Sequence, residues 1–89
     1  MEITLDSVRG VFRDVLAGRM TREAADRWAY SLVQQAKSGA LIFVPESDRK
    51  CIWDGIMYLY GIDILEGPED YLHTDDDVRV AMRTKLGES

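Results

Sequence analysis

ALIFVP, residues 40–45, decides whether this chain is all helix or helix with a sheet. Residues 40–44 form a short, continuous, β-rich apolar run, which suits a strand, and Pro45 biases Val44 towards extended backbone. A strand needs a partner, however, and no second segment alternates in the manner of a half-buried strand. The stretch is therefore read as a buried extended connector plugging the end of a helical bundle. On that reading the fold class is all-α: a small four-helix bundle-like domain over residues 1–89, with one short buried connector.

The helices on either side follow from apolar spacing. Val8, Val11, Phe12, Val15 and Leu16 recur at three- and four-residue steps, which predicts a helix from about Leu5 to Ala17, stopped by Gly18. Thr21 reads as the N-cap of the second helix, with Glu23 suited to the dipole of its first turn. Ala24, Ala25, Trp28, Ala29, Leu32, Val33 and Ala36 give it a continuous face, ended by Ser38-Gly39. A third helix is expected from Ser47 or Asp48 to Gly61, with Ile52, Ile56, Leu59 and Tyr60 inward and Trp53 and Met57 widening that face. Gly55 within it costs about 1 kcal/mol relative to alanine, so a neighbouring backbone or ring should lie close there. Ile62, Ile64 and Leu65 are expected to cover the edge of the core. The last helix should run from about Asp75 to Lys85, with Val78, Ala81, Met82 and Leu86 inward.

The totals suit one small domain. With 46% apolar and 30% charged residues the 89-residue chain has a soluble globular balance. No apolar run exceeds five residues, far below the roughly 20 that span a bilayer. MEITLD, residues 1–6, has two acids and no base, unlike a secretory leader. Cys51, the single cysteine, can form no internal disulfide, which fits a reducing cytoplasm. No membrane association is expected.

Charge is uneven along the chain. The net −5 divides into +1 over residues 1–45, −8 over residues 46–77 and +2 over residues 78–89. Nucleic-acid binding normally shows as a basic stripe, so a chain with this balance is expected to have no nucleic-acid partner. An acidic face instead favours a basic protein partner.

That face centres on EDYLHTDDD, residues 69–77, where five carboxylates surround the chain's only histidine. Thr74 followed by three aspartates is what a helix start needs, since the hydroxyl and carboxylates answer the unpaired N–H groups there. Arg79, four residues after Asp75, has the spacing of an ion pair. A calcium loop would need alternating oxygen ligands and a glycine, and a zinc site more than one cysteine and one histidine. No metal or other cofactor is therefore expected. Cys51 is flanked by Asp48 and Asp54, which oppose a thiolate. The carboxylates sit where solvent should reach them, and no phosphate loop or GxSxG is present. No catalytic residue is assigned, and the chain is not expected to be an enzyme. The remaining reading is a recognition surface for a basic protein, formed by Glu66, Glu69, Asp70, Tyr71, Asp75, Asp76 and Asp77.

The succession TREAADRWA (21–29) and IWDGIMYLYGIDILEGPEDYLHTDDDVR (52–79) resembles a group of small, mostly uncharacterised bacterial helical proteins. In size, acidity and helical build the chain is also similar to immunity proteins that neutralise bacterial toxins. That resemblance implies a cytoplasmic protein-binding module that covers the cleft of a basic toxin domain with its acidic face. The alternative is an oligomeric structural or regulatory subunit without catalytic activity, with Trp28 or Trp53 at a self-contact.

Overall fold

A computed structural model describes residues 1–63 and 74–87. Their elements are β1 (Glu2–Thr4), α1 (Leu5–Leu16), α2 (Arg22–Lys37), β2 (Ile42–Val44), a single 3-10 turn (Glu46–Asp48), α3 (Arg49–Leu59) and α4 (Asp75–Leu86). Four helices thus dominate, as the apolar spacing predicts. Most of each expected stripe is buried, Val8, Val11, Phe12 and Val15 on α1 and Ala25, Ala29, Leu32 and Val33 on α2, while Leu16, Trp28 and Ala36 are half-buried and Ala24, expected inward, is exposed. α3 contributes Ile52, Ile56 and Leu59, and α4 contributes Val78, Ala81, Met82 and Leu86. Each large aliphatic side chain taken from water stabilises the core by about 1.5–3 kcal/mol.

Three of the four helix starts are set by threonines, and α3 has no side-chain cap. Thr4, Thr21 and Thr74 are extended, and their hydroxyls accept from the amides of Ser7, Ala24 and Asp77, at the starts of α1, α2 and α4. α3 packs against the other three helices, and α1 also packs on α4. Gly55 is the close approach between them: a Cβ there would stand 2.6 Å from Leu86 Cδ2 and 2.7 Å from Val8 Cγ1, with the Phe12 ring at 3.7 Å.

The connector expectation is corrected at residues 40–44. Ile42–Val44 is a strand, paired in parallel with Glu2–Thr4 in the register Glu2↔Ile42, Ile3↔Phe43, Thr4↔Val44. The amide of Ile42 donates to Met1 O at 2.8 Å, and the Met1 ammonium donates to Ala40 O at 2.7 Å. Three residues are too few for β1 to show alternation, and Thr4 doubles as a helix cap, so the partner was hidden in a helix lead-in. Nor is the run a buried plug: Ile42 is 56% exposed, Leu41 and Phe43 pack against the core only half-buried, and the fully buried side chain of this sheet is Ile3. The Val44–Pro45 peptide is cis.

Two further inward expectations fail on α3. Met57 and Tyr60 are exposed. Met57 lies about 100° round the helix from Ile56, and Tyr60 follows the last helical residue with extended backbone, so it leaves the helical phase. Its ring stacks instead on Tyr30 of α2, centroids 6.1 Å apart. Next along, Gly61 (φ 92°) donates its amide to Asp26 Oδ1 at 2.6 Å, tying the end of α3 to α2. Ile62 is buried as expected, while Ile64 and Leu65 lie outside the described residues. Among the described residues no helix is long and apolar enough to cross a membrane.

Candidate functional site

The expected acidic surface divides at the edge of the described chain. Glu66, Glu69, Asp70 and Tyr71, with His73, lie outside the described residues. Asp75, Asp76 and Asp77 form the first turn of α4, and each already has an intramolecular task. Asp77 Oδ2 accepts from the Thr74 amide at 3.1 Å while its own amide donates to Thr74 Oγ1 at 3.2 Å, a reciprocal capping box. Asp75 Oδ1 accepts from Arg22 Nη2 at 2.8 Å, and the Arg22 side chain is only 10% exposed. Asp76 Oδ1 accepts from Arg79 Nη1 at 2.9 Å. Arg79 therefore pairs three residues back and not four, leaving Asp75 to bridge to α2.

The rest of α4 has the opposite character. From Val78 to Leu86 it carries Arg79, Arg83 and Lys85 and no acid. Arg79, Val80, Arg83 and Thr84 are exposed, between the buried Val78, Ala81, Met82 and Leu86. Val80 is 47% exposed, an apolar β-branched residue held out between two arginines. Arg83 makes no ion pair or hydrogen bond among the described residues. Thr84 turns its hydroxyl back, donating to Val80 O at 2.9 Å. Lys85 Nζ lies 6.0 Å from the centroid of the Tyr58 ring, which itself stacks on Phe12.

Neighbouring elements hold this helix firmly. Arg9 Nη2 donates to Leu86 O at 3.3 Å, placing a cation at the negative end of the α4 dipole. At the other end lies the Arg22–Asp75 bridge. Tyr58 of α3 lies behind α4; burial raises its phenol above its usual value, the charge of Asp77 adds to the rise, and Arg22 opposes it.

A second feature is an open cleft of about 670 Å³ between the end of α2 and the start of α3. Leu41, Phe43 and Trp53 line it, with Glu46, Arg49 and Lys50 as its charged groups. Cys51 is a half-buried free thiol. Among the described residues no three His, Cys, Asp or Glu side chains are grouped to hold a metal.

The chain matches, over residues 3–83, the family model described as YxzC DNA-binding protein. It belongs to that family. It is also 35% identical, over 66 residues, to "Uncharacterized protein YxzC" of Bacillus subtilis (strain 168), an alignment covering 74% of this chain and 48% of the relative. The chain thus spans about half the length of the curated relative it matches. No solved structure matches.

This membership overturns the expected likeness to toxin-immunity proteins, and with it the basic protein partner and the exclusion of nucleic acid. It equally displaces the alternative of an oligomeric structural subunit, since neither reading is one of DNA binding. The physical error lay in averaging. A net charge of −5 reports the whole chain and says nothing of any one face, and the segment 78–89 differs from the rest with a local excess of +2. Sequence reasoning counted that excess but passed over Arg79, Val80 and Arg83 as a surface.

Proposed function

We propose that this chain is a DNA-binding module without catalytic activity, acting in the cytoplasm and presenting the outer face of α4 to the duplex. The observation that carries the reading is the exposed run of Arg79, Val80, Arg83 and Thr84 on one helix that has no acid beyond its first turn. Family membership supports it, because the family is described as DNA-binding.

The chemistry suits a groove-lying helix. Twelve residues give a rod of about 18 Å, and the major groove, about 12 Å wide, admits one. Arginines can take phosphate oxygens or the O6/N7 edge of guanine, and a β-branched apolar side chain can meet a thymine methyl. Arg83 has no bond to break among the described residues, whereas Arg79 must release Asp76. The three aspartates repel phosphate at the opposite end, so approach is by the C-terminal two thirds of α4. Clamping by Arg9 and by Arg22 leaves little conformational entropy to lose on binding.

The deciding experiment is fluorescence anisotropy with a mixed-sequence duplex at low salt, comparing the wild type with the double variant R79A/R83A. Both side chains are exposed, so the fold should persist by circular dichroism. Loss of binding with an intact fold supports this face. Unchanged binding excludes it, and absence of binding by the wild type to duplexes across salt conditions removes the reading itself.

A further inference from the structure

The cleft between α2 and α3 plays no part in the α4 surface, and its lining mixes Phe43 and Trp53 with the charged Glu46, Arg49 and Lys50. Its volume of about 670 Å³ falls within the roughly 300–1,000 Å³ typical of ligand pockets. Two aromatic walls meet in it: the Phe43 and Trp53 rings stand edge to face, with centroids 6.3 Å apart and planes at 76°. Ring faces set at an angle offer a planar guest one face to stack on and one edge to abut.

Charge decides what the guest carries. Arg49 is engaged twice, its guanidinium 5.2 Å from the Phe43 centroid and Nη1 donating to Glu46 Oε1 at 3.2 Å. Lys50 is exposed and has no ion pair or hydrogen bond among the described residues, so it is the cation in the lining left for an anion. The Glu46 carboxylate lies in the same lining with Oε1 held by Arg49, so Oε2 is the acceptor left for an amino donor on the ring, and the carboxylate disfavours an anion placed beside it. An aromatic ring with an exocyclic amine and one anionic group at a distance from it meets all three demands.

We propose that this cleft binds a free purine nucleoside monophosphate, with its base against Phe43 and Trp53 and its phosphate at Lys50. A strand of nucleic acid fits less well. Strand-binding grooves follow the backbone with a row of cations, and here Lys50 is the one cation of the lining without a partner among the described residues.

The test is a titration of the full chain with AMP, followed by ¹⁵N-resolved NMR of the two tryptophan indole N–H groups. Trp28, on α2 and packed against the core, is the internal control. AMP should move the Trp53 signal and leave Trp28 in place. Adenosine should bind about fivefold more weakly, the factor an exposed ionic contact supplies. The K50A variant, altered only at an exposed side chain, should bind AMP as weakly as adenosine. A Trp53 signal unmoved by millimolar AMP overturns the proposal. So does equal binding of AMP and adenosine, or a response to single-stranded oligodeoxyadenylate where AMP gives none. Because R79A/R83A leaves the cleft intact, AMP binding by that variant separates this inference from the reading of α4.

Discussion

Gly55 of α3 and Leu86 of α4 are in van der Waals contact with no room between them for a methyl group, since a Cβ on Gly55 would stand 2.6 Å from Leu86 Cδ2. That contact fixes how close α4 can lie to α3, and hence how α4 presents its outer face. In G55A the new methyl would also press on Val8 Cγ1 at 2.7 Å. Overpacking of this kind costs about 1–3 kcal/mol, against about 1 kcal/mol gained in helix propensity. The expected outcome is a net loss of stability in urea unfolding. A gain would show that Leu86 and Val8 move aside freely.

The start of α4 should depend on Thr74. T74A removes the hydroxyl that accepts from the Asp77 amide and leaves half of the capping box. A loss of about 1 kcal/mol is expected, seen as a fall of about 4–8 °C in Tm for a domain of this size. T74S, which keeps the hydroxyl, should stay within a degree or two of the wild type. If T74A and T74S melt together, the hydroxyl does not set this terminus.

Much of this architecture was legible in the sequence because its signals are local. Thr21 and Thr74 announce helix starts within a few residues of the amides they cap, and the stripes on α1 and α4 repeat at helical spacing. Gly55 was legible as a close approach, though not that an α4 leucine and an α1 valine cause it. The parallel pairing of Glu2–Thr4 with Ile42–Val44 was not, because strands of three residues give no alternation and two helices separate the partners. The Arg22–Asp75 bridge escaped for a related reason, as 53 residues separate its ends. The proposed α4 surface was hidden differently: Arg79, Val80 and Arg83 were visible as letters, but a charge argument applied to the whole chain outweighed one applied to a face.

The Tyr58 phenol supplies a prediction with a definite sign. Its folded-state pKa lies above the usual value near 10, through burial first and the charge of Asp77 second. A raised folded pKa means that the folded state holds its proton at pH values where the unfolded chain has released it. This contribution to stability is therefore complete below pH 10 and is lost as pH rises from there through the folded value. Spectrophotometric titration should show one of the four tyrosines ionising later than ordinary phenols. Y58F should delete that late component and flatten the fall of stability above pH 10. A late component surviving in Y58F would assign it to another tyrosine.

If α4 is the DNA-contacting element proposed above, salt dependence tests the number of cations it brings. Each neutralised phosphate contributes a slope of about −0.9 in log affinity against log salt concentration. If Arg79, Arg83 and Lys85 all engage, the slope is about −3, and R83A should reduce its magnitude by about 1. An unchanged slope in R83A would place Arg83 away from the phosphates, leaving base contact or no contact at all. A wild-type slope much steeper than −3 would require cations from outside this helix.

Asp76 gives the opposite expectation, an acid whose removal should strengthen binding. Its side chain is 91% exposed and holds Arg79 by a bond of 2.9 Å. D76N keeps the shape, removes a charge that would face phosphate and frees Arg79 for the duplex. Affinity should rise about two- to fivefold at low salt, the range of an exposed ionic contact. The helix start loses a dipole-favoured carboxylate at the same time, about 0.3–1 kcal/mol of stability, so binding and melting temperature should move in opposite directions. That divergence is informative, because a general loosening of the fold would lower both. Weaker binding by D76N would mean that Asp76 itself touches the DNA, as an acceptor for a cytosine amine does, and would shift the contact towards the first turn of α4.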